Sequence, residues 1–193
     1  MWFGRRQKAQ RFGVLVLAVS FALAGCGTGV KSTESILPPR ESMPTELRTV
    51  TSKPSTAALA RKKCSSTPDM PSGWCKSAVA QGHVVYGSGD ESKRAVFDVV
   101  AYGSDKAARD AFRKWTPPYH PSRLRNLNAE KFGSESVAFV GVEGAARGDQ
   151  QVVVHEGHYV GTVHYLGSGK QDALDATLSK LSKMFADRMK QEG

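Results

Sequence analysis

The side chains that could do chemistry fall in three groups. The first is His155-Glu156-Gly157-His158. This is not an H-E-x-x-H pair, because position 159 is Tyr and the two imidazoles cannot stack one helical turn apart. On a hairpin turning about Glu156-Gly157, His155 and His158 would be cross-strand neighbours with Cβ atoms about 5 Å apart. Two imidazoles so placed hold zinc weakly unless a third ligand joins them. His164 does not supply it, since six residues of strand carry it about 20 Å away. No metal site is therefore expected, with His155 and His158 as the weak candidates. The second group is the serines of "YGSGD" and "LGSGK". Neither reads G-x-S-x-G, both sit where a turn is needed, and no Ser–His–Asp order is legible. The expectation is a chain that is not an enzyme and carries no cofactor.

The third group is the stretch "RKWTPPYHPSRLRNLNAEK", which sets Trp115, Tyr119 and His120 among Arg113, Lys114, Arg123, Arg125 and Lys131. Aromatic faces among cations bind sugars or anionic polymers by stacking and charge. Trp115, Tyr119, His120, Arg123 and Arg125 are thus the candidate ligand-binding residues. A solvated loop that returns Trp115 to the core has the same composition.

Around these groups the chain alternates strand-like and helix-like patterns. "SAVAQGHVVYG" and "KRAVFDVVAYG" are rich in β-branched and aromatic residues and are separated by the turn residues "SGDES". "SDKAARDAFRKW" reads as a helix capped by Ser104, with Ala108, Ala111, Phe112 and Trp115 at helical spacing, and Thr116-Pro117-Pro118 stops it. "SESVAFVGV" is a strand and "QQVVVHEGHYVGTVHYLG" a hairpin. The last element, "KQDALDATLSKLSKMFADRMKQ", is a long helix whose start has a capping box of Ser168 with Gln171. Its stripe is Leu174, Leu178, Leu181 and Phe185. The order β-β-α-β-β-β-α predicts an α+β domain: an antiparallel twisted sheet of about five strands, with two helices packed on one face.

The N-terminus has a different character. Arg5, Arg6, Lys8 and Arg11 precede "FGVLVLAVSFALAG", fourteen uncharged residues, too few for a membrane span of about 20. The run ends Leu23-Ala24-Gly25-Cys26, which resembles the lipobox of bacterial lipoproteins. That resemblance implies a signal peptide over 1–25, cleavage before Cys26, and acylation of its thiol. Two acyl chains anchor a protein stably, each buried methylene contributing about 0.8 kcal/mol. Of the three cysteines, Cys64 and Cys75 then remain. Outside the membrane such a pair is normally oxidised, and closing the loop contributes about 3 kcal/mol. The whole chain carries 27 Lys+Arg against 18 Asp+Glu. Removing the four basic residues of the signal leaves 23 against 18, a mild excess that is not a nucleic-acid footprint. It favours membrane lipid headgroups or an anionic envelope polymer. Residues 26–60, rich in Ser, Thr and Pro and without aromatics, read as a disordered tether. Residues 61–193 read as one extracytoplasmic domain.

Lipobox, tether and a small domain ending in strand, hairpin and amphipathic helix together resemble actinobacterial cell-envelope lipoproteins. Over residues 93–190 the pattern "GSESVAFVGV…QQVVVHEGHYVGTVHYLG…LSKLSKMFADRM" is similar to the extracellular sensor domains of actinobacterial membrane Ser/Thr kinases. Gly133-Ser134-Glu135 stands where those domains carry a GDE-like turn. The resemblance implies a lipid-anchored protein on the extracytoplasmic face of the cell membrane, acting by binding or sensing. Its partners would be membrane lipid through Cys26 and an anionic polymer or protein of the envelope. The alternative is an envelope hydrolase or another enzyme with an unrecognised site.

Overall fold

The computed structural model describes residues 32–59, 77–115, 124–142, 148–167, 169 and 172–193. Seven strands form one antiparallel sheet: β1 (Thr49–Ala58), β2 (Ala78–Gly87), β3 (Arg94–Tyr102), β4 (Leu124–Leu127), β5 (Glu135–Gly141), β6 (Gln150–Glu156) and β7 (Tyr159–Leu166). Their spatial order is β1-β2-β3-β7-β6-β5-β4. Helix α1 (Asp105–Trp115) follows β3, and α2 (Ala176–Glu192) follows β7. The fold is α+β, but the sheet has seven strands rather than about five. The two additional strands are the edges, β1 and β4.

The helices lie on opposite faces of the sheet, not on one. Ala95, Phe97, Val99 and Ala101 of β3 join Leu178, Leu181, Phe185, Ala186 and Met189 of α2 in one cluster. The alternate residues Val100 and Tyr102 join Ala108, Ala111 and Phe112 of α1 in another. The reason lies in β6, where Val152, Val153 and Val154 are all buried although neighbours point to opposite sides. A sheet apolar on both faces must be covered on both. Gly161 lets α2 come close, because a Cβ there would lie 2.5 Å from Phe185 Cε1.

Residues 32–59, expected as tether, are part of the fold. Ile36, Leu37, Met43 and Leu47 are buried in the α2-side cluster. Seven strands span roughly 29 Å and a helix covers only about 10–12 Å. Residues 32–47 cover the β2–β3 side of the face that α2 leaves open. Tyr86 Oη donates to Pro38 O at 2.6 Å, Arg188 Nε to Ile36 O at 2.9 Å, and Thr33 Oγ1 to Gln81 O at 2.9 Å. Arg188 Nη2 also donates to Ser35 O. Strand β1 then pairs with β2 from Thr49↔Gly87 to Ala58↔Ala80, with register shifts flanking Ser52. Lys53 and Pro54 in that irregular stretch blunt the edge against further strand pairing. The proposed signal peptide, Cys26, Cys64 and Cys75 lie outside the described residues.

The caps divide. Ser104 Oγ accepts from Ala107 N at 3.1 Å, the expected N-cap of α1. Helix α2 is capped by Asp175, whose carboxylate accepts from Thr177 N at 2.7 Å. The helix thus begins later than a Ser168–Gln171 box would start it.

Because residues 32–47 complete the core, Ile36→Ala and Leu47→Ala are each expected to destabilise the protein by about 2–5 kcal/mol. Chemical unfolding checks this, and loss-free variants would return the segment to a tether. Gly161→Val is expected to push α2 off β7 and lower the melting temperature more than either.

Candidate functional site

The structure separates the histidines. In the β6–β7 hairpin Glu156 pairs with Tyr159 and His155 with Val160, so the loop is Gly157-His158 and not Glu156-Gly157. Gly157 has φ 52°, as a Gly-first two-residue turn requires. His155 and His158 are therefore not cross-strand neighbours. His158 sits in the turn, its carbonyl accepting from Tyr102 N at 2.8 Å. His155 is fully buried against Phe112 of α1, ring centroids 5.9 Å apart.

His155 belongs to a brace that holds α1. Its Nε2 lies 3.1 Å from Gly157 O and 3.4 Å from Asp105 Oδ1, and its Nδ1 lies 3.6 Å from Glu135 Oε1. Arg109 reaches both carboxylates, Asp105 at 3.5 Å and Glu135 at 3.1 Å. The guanidinium balances the two acids, so the cluster ties the first turns of α1 to β5 and β6. Among the described residues no group of three or more His, Cys, Asp or Glu is arranged to hold a metal ion.

Of the basic-aromatic stretch, Tyr119, His120 and Arg123 lie outside the described residues, and Trp115 is the last residue of α1. Arg125 is on β4, with Nη2 2.9 Å from Asp172 Oδ1. Both groups are largely exposed, and such a pair contributes about 0–1 kcal/mol. The structure thus places Arg125 in a surface ion pair.

Polar chemistry collects instead on the β1–β3 half of the sheet, on the face opposite residues 32–47. His83 and Asp98 are partners in the β2–β3 register, and His83 Nδ1 lies 2.7 Å from Asp98 Oδ1. The carboxylate fixes Nδ1 as the donor and leaves Nε2 for other contacts. That hydrogen bond raises the His83 pKa, partial burial opposes it, and the Asp98 charge adds to it. Ser55 of β1 stands opposite His83, so Ser55, His83 and Asp98 form one cross-strand row. No hydrogen bond joins Ser55 to His83 among the described residues.

Four residues further along, the same face ends in a cavity of about 320 Å³ lined by Thr51, Gly87, Ser88, Glu91 and Arg94. Gly87 lets Thr51 pack close on the β2 backbone, since a Cβ there would stand 3.3 Å from Thr51 Cγ2. The β2–β3 turn forms its rim and is held by Asp90. That carboxylate accepts from Ser88 Oγ at 2.5 Å, Ser92 Oγ at 2.8 Å and Ser92 N at 3.1 Å. Those donors, Ser88 first, pull the Asp90 pKa down to about 2. Glu91 follows with φ 58°, the one left-handed non-glycine among the described residues.

Sequence reading missed this face, although a signal existed. A turn at "SGDES" that pairs Gly87 with Arg94 pairs His83 with Asp98 four residues away by simple counting. Neither pair forms a local motif, which is why neither stands out in the linear sequence.

No family model matches the chain, and no curated protein matches it. Among solved structures it is similar to the extracellular domain of PknH from Mycobacterium tuberculosis. The two share 14% identity with a TM-score of 0.50, over 74% of this chain and 86% of that one. The likeness is one of fold. The resemblance of residues 93–190 to kinase sensor domains therefore holds for the architecture, and that architecture extends beyond this stretch.

The raised pKa gives a stability rule with a defined sign. A histidine whose folded pKa is raised contributes stability that is full below its unfolded value, about 6.5, and lost as pH rises through the folded value. The His83–Asp98 pair is thus expected to stabilise the protein more at pH 5.5 than at pH 8. Asp98→Asn should remove most of this difference in paired melting curves, and NMR titration of the His83 ring should show its pKa fall.

Proposed function

We propose that the protein is an extracytoplasmic lipoprotein, anchored in the cell membrane through acylated Cys26, whose α+β domain is a non-enzymatic binding or sensor-like module. The observation that carries this reading is the fold shared with the extracellular domain of PknH. The lipobox-like Leu23-Ala24-Gly25-Cys26 supports the anchor, and the polar β1–β3 face with its cavity supplies a binding surface. Cys64 and Cys75 are proposed to pair as a disulfide in the oxidising compartment. The partners are membrane lipid through Cys26, and a ligand or protein of the envelope, not nucleic acid.

Fractionation of cells making the native chain and Cys26→Ser tests the anchor. The native protein is expected in the membrane fraction and the variant in the soluble extracytoplasmic fraction. A variant that stays with the membrane would contradict the anchor.

The row Ser55–His83–Asp98 favours a second reading, an envelope hydrolase in which His83 activates Ser55. Nucleophilic catalysis requires the serine within hydrogen-bond reach of the imidazole and donors for the developing oxyanion. The binding reading is preferred because the His83 contact present is to Asp98 alone. A fluorophosphonate probe separates the two: labelling that Ser55→Ala abolishes would establish the hydrolase.

A further inference from the structure

The cavity at the end of the β1–β3 face has unlike charges on its wall. Arg94 and Glu91 both line it, and neither makes an ion pair or side-chain hydrogen bond among the described residues. Opposite charges on one small surface normally close on each other. Here the backbone holds them apart. Arg94 is fixed in β3 opposite Gly87 and Leu166. Glu91 is held in the left-handed region by the Asp90-stapled turn, its N–H donating to Ser88 O at 3.1 Å. A non-glycine residue kept at positive φ costs free energy that the surrounding structure must sustain, a pattern that clusters at ligand sites. At the base Thr51 and the Arg94 stem pack onto the Gly87 backbone. The Thr51 and Ser88 hydroxyls are held by Val85 O and the Asp90 carboxylate, so the two charged side chains are the groups left to meet a ligand.

We infer that this cavity binds a small zwitterion of the free amino-acid class, with its carboxylate on Arg94 and its ammonium on Glu91. The inference deepens the binding-module reading and rests on it. A simple anion would be repelled by Glu91 and a simple cation by Arg94. A guanidinium favours a carboxylate through paired N–H donors. The volume is at the lower end of small-ligand pockets, which suits a molecule of amino-acid size and not a polymer segment.

Isothermal titration of the full-length protein in detergent micelles tests this, with glycine, L-alanine and L-glutamine as probes. N-acetylglycine and glycinamide, each lacking one charge, are the controls. The zwitterions are expected to bind, and each control at least about tenfold more weakly. Arg94→Gln and Glu91→Gln should each weaken zwitterion binding about tenfold, and Gly87→Val, which forces Thr51 and the Arg94 stem off the β2 backbone, should abolish it. Arg94 and Glu91 are exposed, so their variants keep the fold and carry the test should Gly87→Val fail to fold. No heat with any zwitterion, or controls that bind equally well, would overturn the inference. Zwitterion binding undiminished by both charge variants would also overturn it, placing the ligand elsewhere while leaving the binding-module reading intact. Failure of that broader reading would show instead as probe labelling of Ser55.

Discussion

The centre of the sheet is apolar at consecutive positions, and both of its faces must therefore be kept from water. Val99, Val100, Ala101 and Tyr102 of β3, Val152, Val153 and Val154 of β6, and Tyr159 and Val160 of β7 are all nearly or fully buried. Burying large apolar side chains contributes about 1.5–3 kcal/mol apiece, and five of these nine point to the α2 side and four to the α1 side. One cover cannot serve both directions. The chain meets the demand with α2 and residues 32–47 on one side and α1 on the other. The Asp105–Arg109–Glu135–His155 brace belongs to the same requirement, since it fixes α1 over the smaller cluster.

That arrangement determines where function can sit. Helix α1 packs mainly on β3, β7 and β6, and of β2 only Ala78 joins its cluster. Strands β1 and β2 with the outer part of β3 keep their second face free of either helix, and it is there that His83, Asp98, Arg94 and Glu91 are found. Polar groups are affordable on this half only because the opposite face of the same strands is sealed by Ile36, Leu37, Met43 and Leu47. Residues 32–47 are thus structural support for the face that carries these groups.

What could be read from the linear chain follows from how local each signal was. The β2–β3 hairpin was legible because its turn residues and alternation lie within one continuous stretch, Ala78 to Tyr102, and Ser104 marked α1 because a cap is local. Strand β1 was not. "TVTSKPSTAA" has few large apolar residues and a proline, and it becomes a strand by lending its backbone to β2, a partner some thirty positions away. β4 is four residues inside a polar stretch and joins the sheet in the same way. The helix faces were misjudged because two amphipathic stripes do not say which side of a sheet they meet. Val152-Val153-Val154 held that information. Of the candidate chemistry, Arg125 and His155 proved to serve ion pairing and packing. The His83–Asp98 pair required a register to become visible.

The proposed binding role rests on a fold shared with the extracellular domain of PknH, a lipobox-like start and a polar face. Hydrogen exchange on the full-length protein, with and without an extract of the producing cell's envelope, tests the central claim most directly. The account predicts slowed amide exchange confined to residues 83–98 and the facing part of β1. Unchanged exchange there, with slowing at β4 and β5 instead, would contradict it.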